Sequence, residues 1–161
     1  MATLGEQVRS IADFLHGLRE NSLSDGKHYG LQRHVTVPLG PPLLVDSATY
    51  IGAIFIAPCD GCEVKQLRIS GALSIGSGTN TLAFDNYDAS ANAARNLLAA
   101  TNFDPDTITA KEGLDCPLSA TMSNRMMDEG DVINYTMVIG TQTTAGEGYL
   151  AHLVVTVPEI L

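Results

Sequence analysis

Between Leu31 and Pro158 the apolar residues of this chain recur at a period of two, in short runs bounded by Gly, Pro, Asn and Asp. No other feature restricts the fold as much. At that spacing, successive side chains fall on opposite faces of an extended strand. Gln32 to Pro38 alternates, with Val35 and Val37 on one side and His34 and Thr36 on the other. A Pro- and Gly-rich connector (Pro38 to Pro42) leads to a short strand, Leu43 to Val45. Thr49 to Ala57 reads as a long, mostly buried strand, and Pro58 to Gly61 as the turn that ends it. Cys62 to Leu73 follows, with Val64, Leu67, Ile69 and Ala72 apolar, and Gly76-Ser77-Gly78 leads into Thr79 to Tyr87.

Beyond Tyr87 the pattern loosens. Asp88 to Thr101 suits one or two helical turns, with Asp88 or Ser90 as cap, or a surface excursion. Asp104-Pro105-Asp106 is a turn signal, and Thr107 to Ala110 and Cys116 to Met122 read as short strands. Met127 to Asp131 ends in a tight Asp-Glu-Gly-Asp turn. Val132 to Gly140 and Tyr149 to Val157 read as a terminal pair. About eight or nine strands at even spacing, with no strand–helix–strand rhythm, predict a mainly β fold. The expected form is an antiparallel β-sandwich or jelly roll.

The start of the chain follows a different period. Thr3 and Glu6 make a capping box, and Leu4, Val8, Ile11, Leu15 and Leu18 recur at spacings of four and three, a stripe that Phe14 widens. The spacing predicts one N-terminal amphipathic α-helix from about Leu4 to about Arg19, ended by Asn21 and Ser22. A helix of this length is marginal alone in water, so its apolar stripe must dock. It can dock on its own domain, on a second copy of the chain, or in a partner's groove, as an interface formed by Leu4, Val8, Ile11, Phe14, Leu15 and Leu18. Leu23 to Gly30 is polar and suits a tether. The expected organisation is a helix over 1–21, an extended arm with short strands over 22–48, and the sandwich over 49–161.

Charge narrows the partners. The chain carries 18 acidic and 9 basic residues, a net charge of −9, and its Lys and Arg are scattered singly. A phosphate-binding surface needs them clustered, so no nucleic-acid partner is expected. The longest apolar runs, such as Ile51 to Pro58, are too short to span a bilayer, and no leader is legible near Met1, so no membrane partner is expected.

No catalytic, cofactor or metal site is legible. Cys59-Asp60-Gly61-Cys62 has no second pair of metal ligands at zinc spacing and reads first as a turn, with a local disulfide or metal role as the alternative. His16, His28, His34 and His152 are dispersed. The Gly76 to Gly78 loop lacks the Gly-Lys-Ser/Thr ending of a phosphate loop, and no Gly-x-Ser-x-Gly elbow occurs. Carboxylates cluster near turns at Asp85 and Asp88, Asp104 and Asp106, and Asp128 to Asp131, without the spacing of a twelve-residue calcium loop. With no Trp and 6% aromatic residues, a stacking platform for sugars is poorly supplied. No small-molecule substrate is expected.

Several features from Leu31 to Pro158, about four-fifths of the chain, accumulate into a resemblance. One strand ends in Ala57-Pro58, a Gly turn follows, and the next strand runs from Glu63 to Gly71. Gly78-Thr79-Asn80-Thr81-Leu82 enters the strand after it. Then come Asn102-Phe103-Asp104-Pro105-Asp106-Thr107, Leu118-Ser119-Ala120-Thr121 and Glu129-Gly130-Asp131-Val132-Ile133. In these features the chain resembles capsid decoration, or cement, proteins of tailed bacteriophages. That resemblance implies a non-enzymatic virion protein, often a homotrimer, that binds the major capsid protein and bridges neighbouring subunits. It would act on the capsid exterior after assembly in the host cytoplasm. The alternative expectation is a phage tail or fibre subunit, or a lectin-like recognition module.

Overall fold

The computed structural model describes residues 31–158 apart from 74 and 77. The expected helix and its stripe, Leu4, Val8, Ile11, Phe14, Leu15 and Leu18, lie outside the described residues. Among the described residues nine strands follow one another: β1 Leu31–Pro38, β2 Ala48–Ile56, β3 Cys62–Ser70, β4 Thr81–Asp88, β5 Ala93–Asn96, β6 Gly113–Asp115, β7 Met126–Met127, β8 Val132–Ile139 and β9 Leu150–Val157. Short 3-10 turns occupy Pro105–Thr107 and Met122–Asn124.

The chain is mainly β, and among the described residues all strand pairs are antiparallel. One sheet has the order β1-β9-β3-β6, with the two-residue β7 also pairing β3, and the other has the order β2-β8-β4-β5. Leave β7 aside and the first strand pairs the last, the second pairs the next to last, and so on inward to β4 with β5. Every connection outside the β4–β5 hairpin therefore spans from one sheet to the other. Val132 to Gly140 and Tyr149 to Val157 are not a terminal pair, contrary to the sequence reading. β8 lies between β2 and β4, while β9 lies between β1 and β3 in the other sheet. Alternation gives each strand a buried face, but it carries no information about which strand sits beside it.

The inward residues of both sheets enter one hydrophobic core. Val64, Leu67 and Ile69 of β3 and Leu153 and Val155 of β9 meet Leu82 and Phe84 of β4 and Ile133, Met137 and Ile139 of β8, all essentially inaccessible. Burying a side chain of this size contributes about 1.5–3 kcal/mol. Val64 and Leu67 stand three apart, which breaks the period of two. A register shift between Val64 and Gln66 absorbs the extra residue, so Lys65 and Gln66 both stay outside.

Other expectations need correction. Asp88 to Thr101 is neither helix nor excursion: Ala93–Asn96 is β5, hydrogen-bonded along β4. The alanines favour helix in isolation, but Asp88 caps the turn first. Its carboxylate accepts the Ala91 N–H and the Ser90 hydroxyl at 2.8 Å each, and Asn92 takes a positive φ of 51°. Thr107 to Ala110 and Cys116 to Met122 are not strands. The first begins in a 3-10 turn capped by Asp104, and the second contributes only an isolated bridge from Leu118 to Leu98. β2 is an edge strand rather than a mostly buried one, with Ile54 inside and Ile51 72% exposed. Within the expected arm 22–48, residues 31–38 pair along their whole length with β9, and Leu39 and Leu44 are core residues.

Tyrosine hydroxyls tie the connectors at one end of the sheets. Tyr135 accepts the Gly40 N–H, Tyr50 the Val45 N–H and Tyr149 the Ile75 N–H, each at 3.0 Å. Burial pushes the Tyr149 phenol above its usual pKa and keeps it protonated. Gly52 faces Tyr135 across β2 and β8, and a Cβ there would lie 2.7 Å from the ring.

Candidate interaction surfaces

Each sheet turns one face to the core and one outward, and strand register fixes what the outer faces carry. On the β2-β8-β4-β5 sheet the outward residues line up in rows across the strands. Thr49 meets Val138 and Thr81; Ile51 meets Thr136 and Ala83; Ala53 meets Asn134, Asp85 and Asn96; Ile56 meets Val132, Tyr87 and Ala94. These rows contain no Lys or Arg, and Asp85 is their one carboxylate. Ile51, Ile56 and Val138 are 72%, 63% and 39% exposed. Partial burial raises the pKa of Asp85, so even its one charge is poorly solvated.

The outer face of the β1-β9-β3-β6 sheet is built differently. Its rows run Gln32–Thr156–Glu63, His34–Val154–Gln66, Thr36–His152–Arg68–Asp115 and Pro38–Leu150–Ser70–Gly113. An open depression of about 460 Å³ lies among His34, Gln66, Arg68, Ser70, Gly113 and His152. The His152 Nδ1 lies 3.1 Å from the Thr36 hydroxyl and its Nε2 lies 2.9 Å from that of Ser70. A neutral imidazole has one donor and one acceptor nitrogen. In that form one hydroxyl donates into the ring, and the other accepts from it. Arg68 donates to Asp115 and to the Gly113 carbonyl at 3.0 Å each, and Gln66 donates to Asp115 at 2.9 Å.

Ser70 and His152 have the spacing of a nucleophile and its base. The second ring nitrogen faces a hydroxyl, however, where a hydrolytic triad places a carboxylate to stabilise the imidazolium. Sequence reasoning missed this cluster because its members lie on separate strands, 82 residues apart for Ser70 and His152. Only the pairing of β9 between β1 and β3 brings them together.

The acidic turns have a local use. Asp46, Asp60, Asp88, Asp104, Asp106 and Asp131 each accept a backbone N–H, from Gln142, Glu129, Ala91, Asp106, Gly78 and, for Asp131, both Ala89 and Asp128. The Ala91 N–H and the Ser90 hydroxyl, with Arg95 alongside, hold the Asp88 carboxyl below its usual pKa. Among the described residues no three His, Cys, Asp or Glu side chains converge on a point that could hold a metal ion. Cys59 and Cys62 flank the turn between β2 and β3, both as free thiols, and Cys116 is buried.

No protein-family model, curated protein or solved structure matches the chain.

Proposed function

We propose that this chain is a structural virion protein, one that decorates a phage capsid and stabilises it by bridging neighbouring capsid subunits. We read the two sheets as a β-sandwich of jelly-roll type. The strand orders support that reading, because pairing first with last and inward to β4 with β5 is what a long hairpin rolled into two sheets produces. Jelly rolls serve capsids, lectins and metal-binding enzymes alike, so the surface must decide among them.

The observation that carries the proposal is the outer face around Ile51, Ile56 and Val138. On a chain of net charge −9, a sheet face with one carboxylate and three exposed aliphatic residues suits burial against another protein. The partner in this reading is the major capsid protein. The stripe Leu4, Val8, Ile11, Phe14, Leu15 and Leu18 supplies a second grip, and self-association as a homotrimer multiplies both by avidity. The proposed place of action is the capsid exterior, reached after assembly in the host cytoplasm.

Co-sedimentation tests the proposal. The full-length protein should pellet with mature, expanded capsids of its virus and stay in the supernatant with unexpanded shells. A version lacking residues 1–21 should keep its β circular-dichroism spectrum and lose binding. Failure of the full-length protein to pellet with either shell would refute the capsid reading. The depression around His34, Arg68 and His152 favours a second reading, a recognition module for a small polar ligand. Saturable glycan binding that is lost in His152→Ala would support it.

A further inference from the structure

We propose that Cys59 and Cys62 are a modification site, a thiol pair that closes reversibly into a disulfide across the β2–β3 turn. The two sulfurs lie 3.9 Å apart, and the Cys62 thiol donates to the Cys59 carbonyl at 3.3 Å. A disulfide requires about 2.05 Å between sulfurs, so oxidation must draw the two side chains together. Gly61 makes the turn possible, since its φ of +79° is a conformation that other residues rarely adopt. The turn is anchored at two points. Asp60 accepts the Glu129 N–H at 2.8 Å, and Ala57 exchanges backbone hydrogen bonds with Gly130 and Asp131.

The two thiols differ in access, and that sets the order of events. Cys59 is half-buried, whereas Cys62 is fully buried. Burial pushes the Cys62 thiol up to about 11, so it is a poor first nucleophile. The Cys59 thiolate attacks one sulfur of a small-molecule disulfide such as oxidised glutathione. The S–S bond breaks, one reduced thiol leaves, and a mixed disulfide forms on Cys59. Cys62 then loses its proton to water and attacks the Cys59 sulfur, expelling the second small thiol. The protein gives up two protons and two electrons, and the oxidant takes them up as two thiols. A particle that leaves a reducing cytoplasm for an oxidising medium would close this staple on release. That last step rests on the virion reading; the chemistry does not.

The test is peptide mapping by mass spectrometry of the folded full-length chain after incubation with oxidised glutathione and quenching with an alkylating agent. The peptide holding Cys59 and Cys62 should lose two hydrogen masses and resist alkylation until reduced. Cys116, buried and pushed up to about 12, should stay reduced and serve as internal control. Cys62→Ala should stop at one glutathione on Cys59, and Cys59→Ser should take up none at Cys62. The Cys59→Ser variant keeps the comparison valid if the buried Cys62→Ala fails to fold. A wild-type chain that keeps both thiols, or that accumulates the mixed adduct without closing, would overturn the proposal. So would a Cys59→Ser chain that is glutathionylated at Cys62 as fast as wild type is at Cys59.

Discussion

The two outer faces share strand geometry and alternation, yet they treat their outward positions in opposite ways. On the β1-β9-β3-β6 sheet, polar side chains satisfy one another: Thr36 with His152, His152 with Ser70, Arg68 and Gln66 with Asp115. On the β2-β8-β4-β5 sheet, Ile51 and Ile56 stand in water beside Thr, Ala and Asn. A polar network that meets its own needs is stable without a partner. Exposed aliphatic side chains gain only when something covers them, at about 25 cal/mol per Å² removed from water. Under the proposed function the two faces have separate tasks: one finishes the fold, and the other offers area for assembly.

The most damaging way to break the contrast is to charge the apolar face. Ile51→Asp combined with Ile56→Asp should weaken capsid retention by about 100-fold, as expected from about 2.7 kcal/mol of lost burial and added desolvation. Both positions are well exposed, so unfolding stability should move by only about 0.5 kcal/mol. Arg68→Ala on the opposite face is the control and should leave retention within about twofold, since an exposed ion pair contributes only about 0–1 kcal/mol. Equal losses from both faces in quantitative co-sedimentation would erase the distinction.

A smaller effect comes from cutting the polar network. His152→Ala leaves the Thr36 and Ser70 hydroxyls without their shared partner and should cost about 1 kcal/mol in urea unfolding. Thr36→Val and Ser70→Ala should each cost less. Because the imidazole couples the two hydroxyls, the double variant should lose less than the sum of the single losses. Strict additivity would mean that the ring does not link β1 to β3 through β9.

These faces were unequally legible in the sequence. Alternation located most strands within a few residues and sorted Val35 and Val37 from His34 and Thr36, because burial of one face imposes the period. It misjudged Ile51, since a run of Tyr, Ile, Gly, Ala, Ile, Phe and Ile reads as buried on both faces. Ile51 is exposed because it stands on the outward face of its sheet, in a strand at the sheet's edge. The alanines from Ala91 to Ala94 suggested helix through local propensity, and pairing with β4 overrode it. Ser70 and His152 were invisible as a pair, because their approach depends on long-range pairing. The thiol turn was the reverse case: Cys59 and Cys62 were visible by spacing, but spacing alone does not report the separation of their sulfurs.

Asp85 gives the smallest and most specific test, because it is the one carboxylate in the rows of the apolar face. Its pKa is raised by burial, so folding disfavours the charged form. Below the ordinary carboxylate pKa, about 3.9, both folded and unfolded chains hold the proton, and the residue costs nothing. As pH rises through that value toward the raised one, the unfolded state ionises first and the fold loses stability. At neutral pH the penalty is fully present. Asp85→Asn should therefore raise the thermal midpoint at pH 7, by well under 1 kcal/mol in unfolding free energy, as for most surface changes. The gain should shrink to nothing as pH falls below the ordinary carboxylate range. On a capsid the same variant should bind more tightly, since docking would bury the carboxylate further. A stability gain that persists unchanged at low pH would show that Asn improves local packing and that charge burial is not the cause.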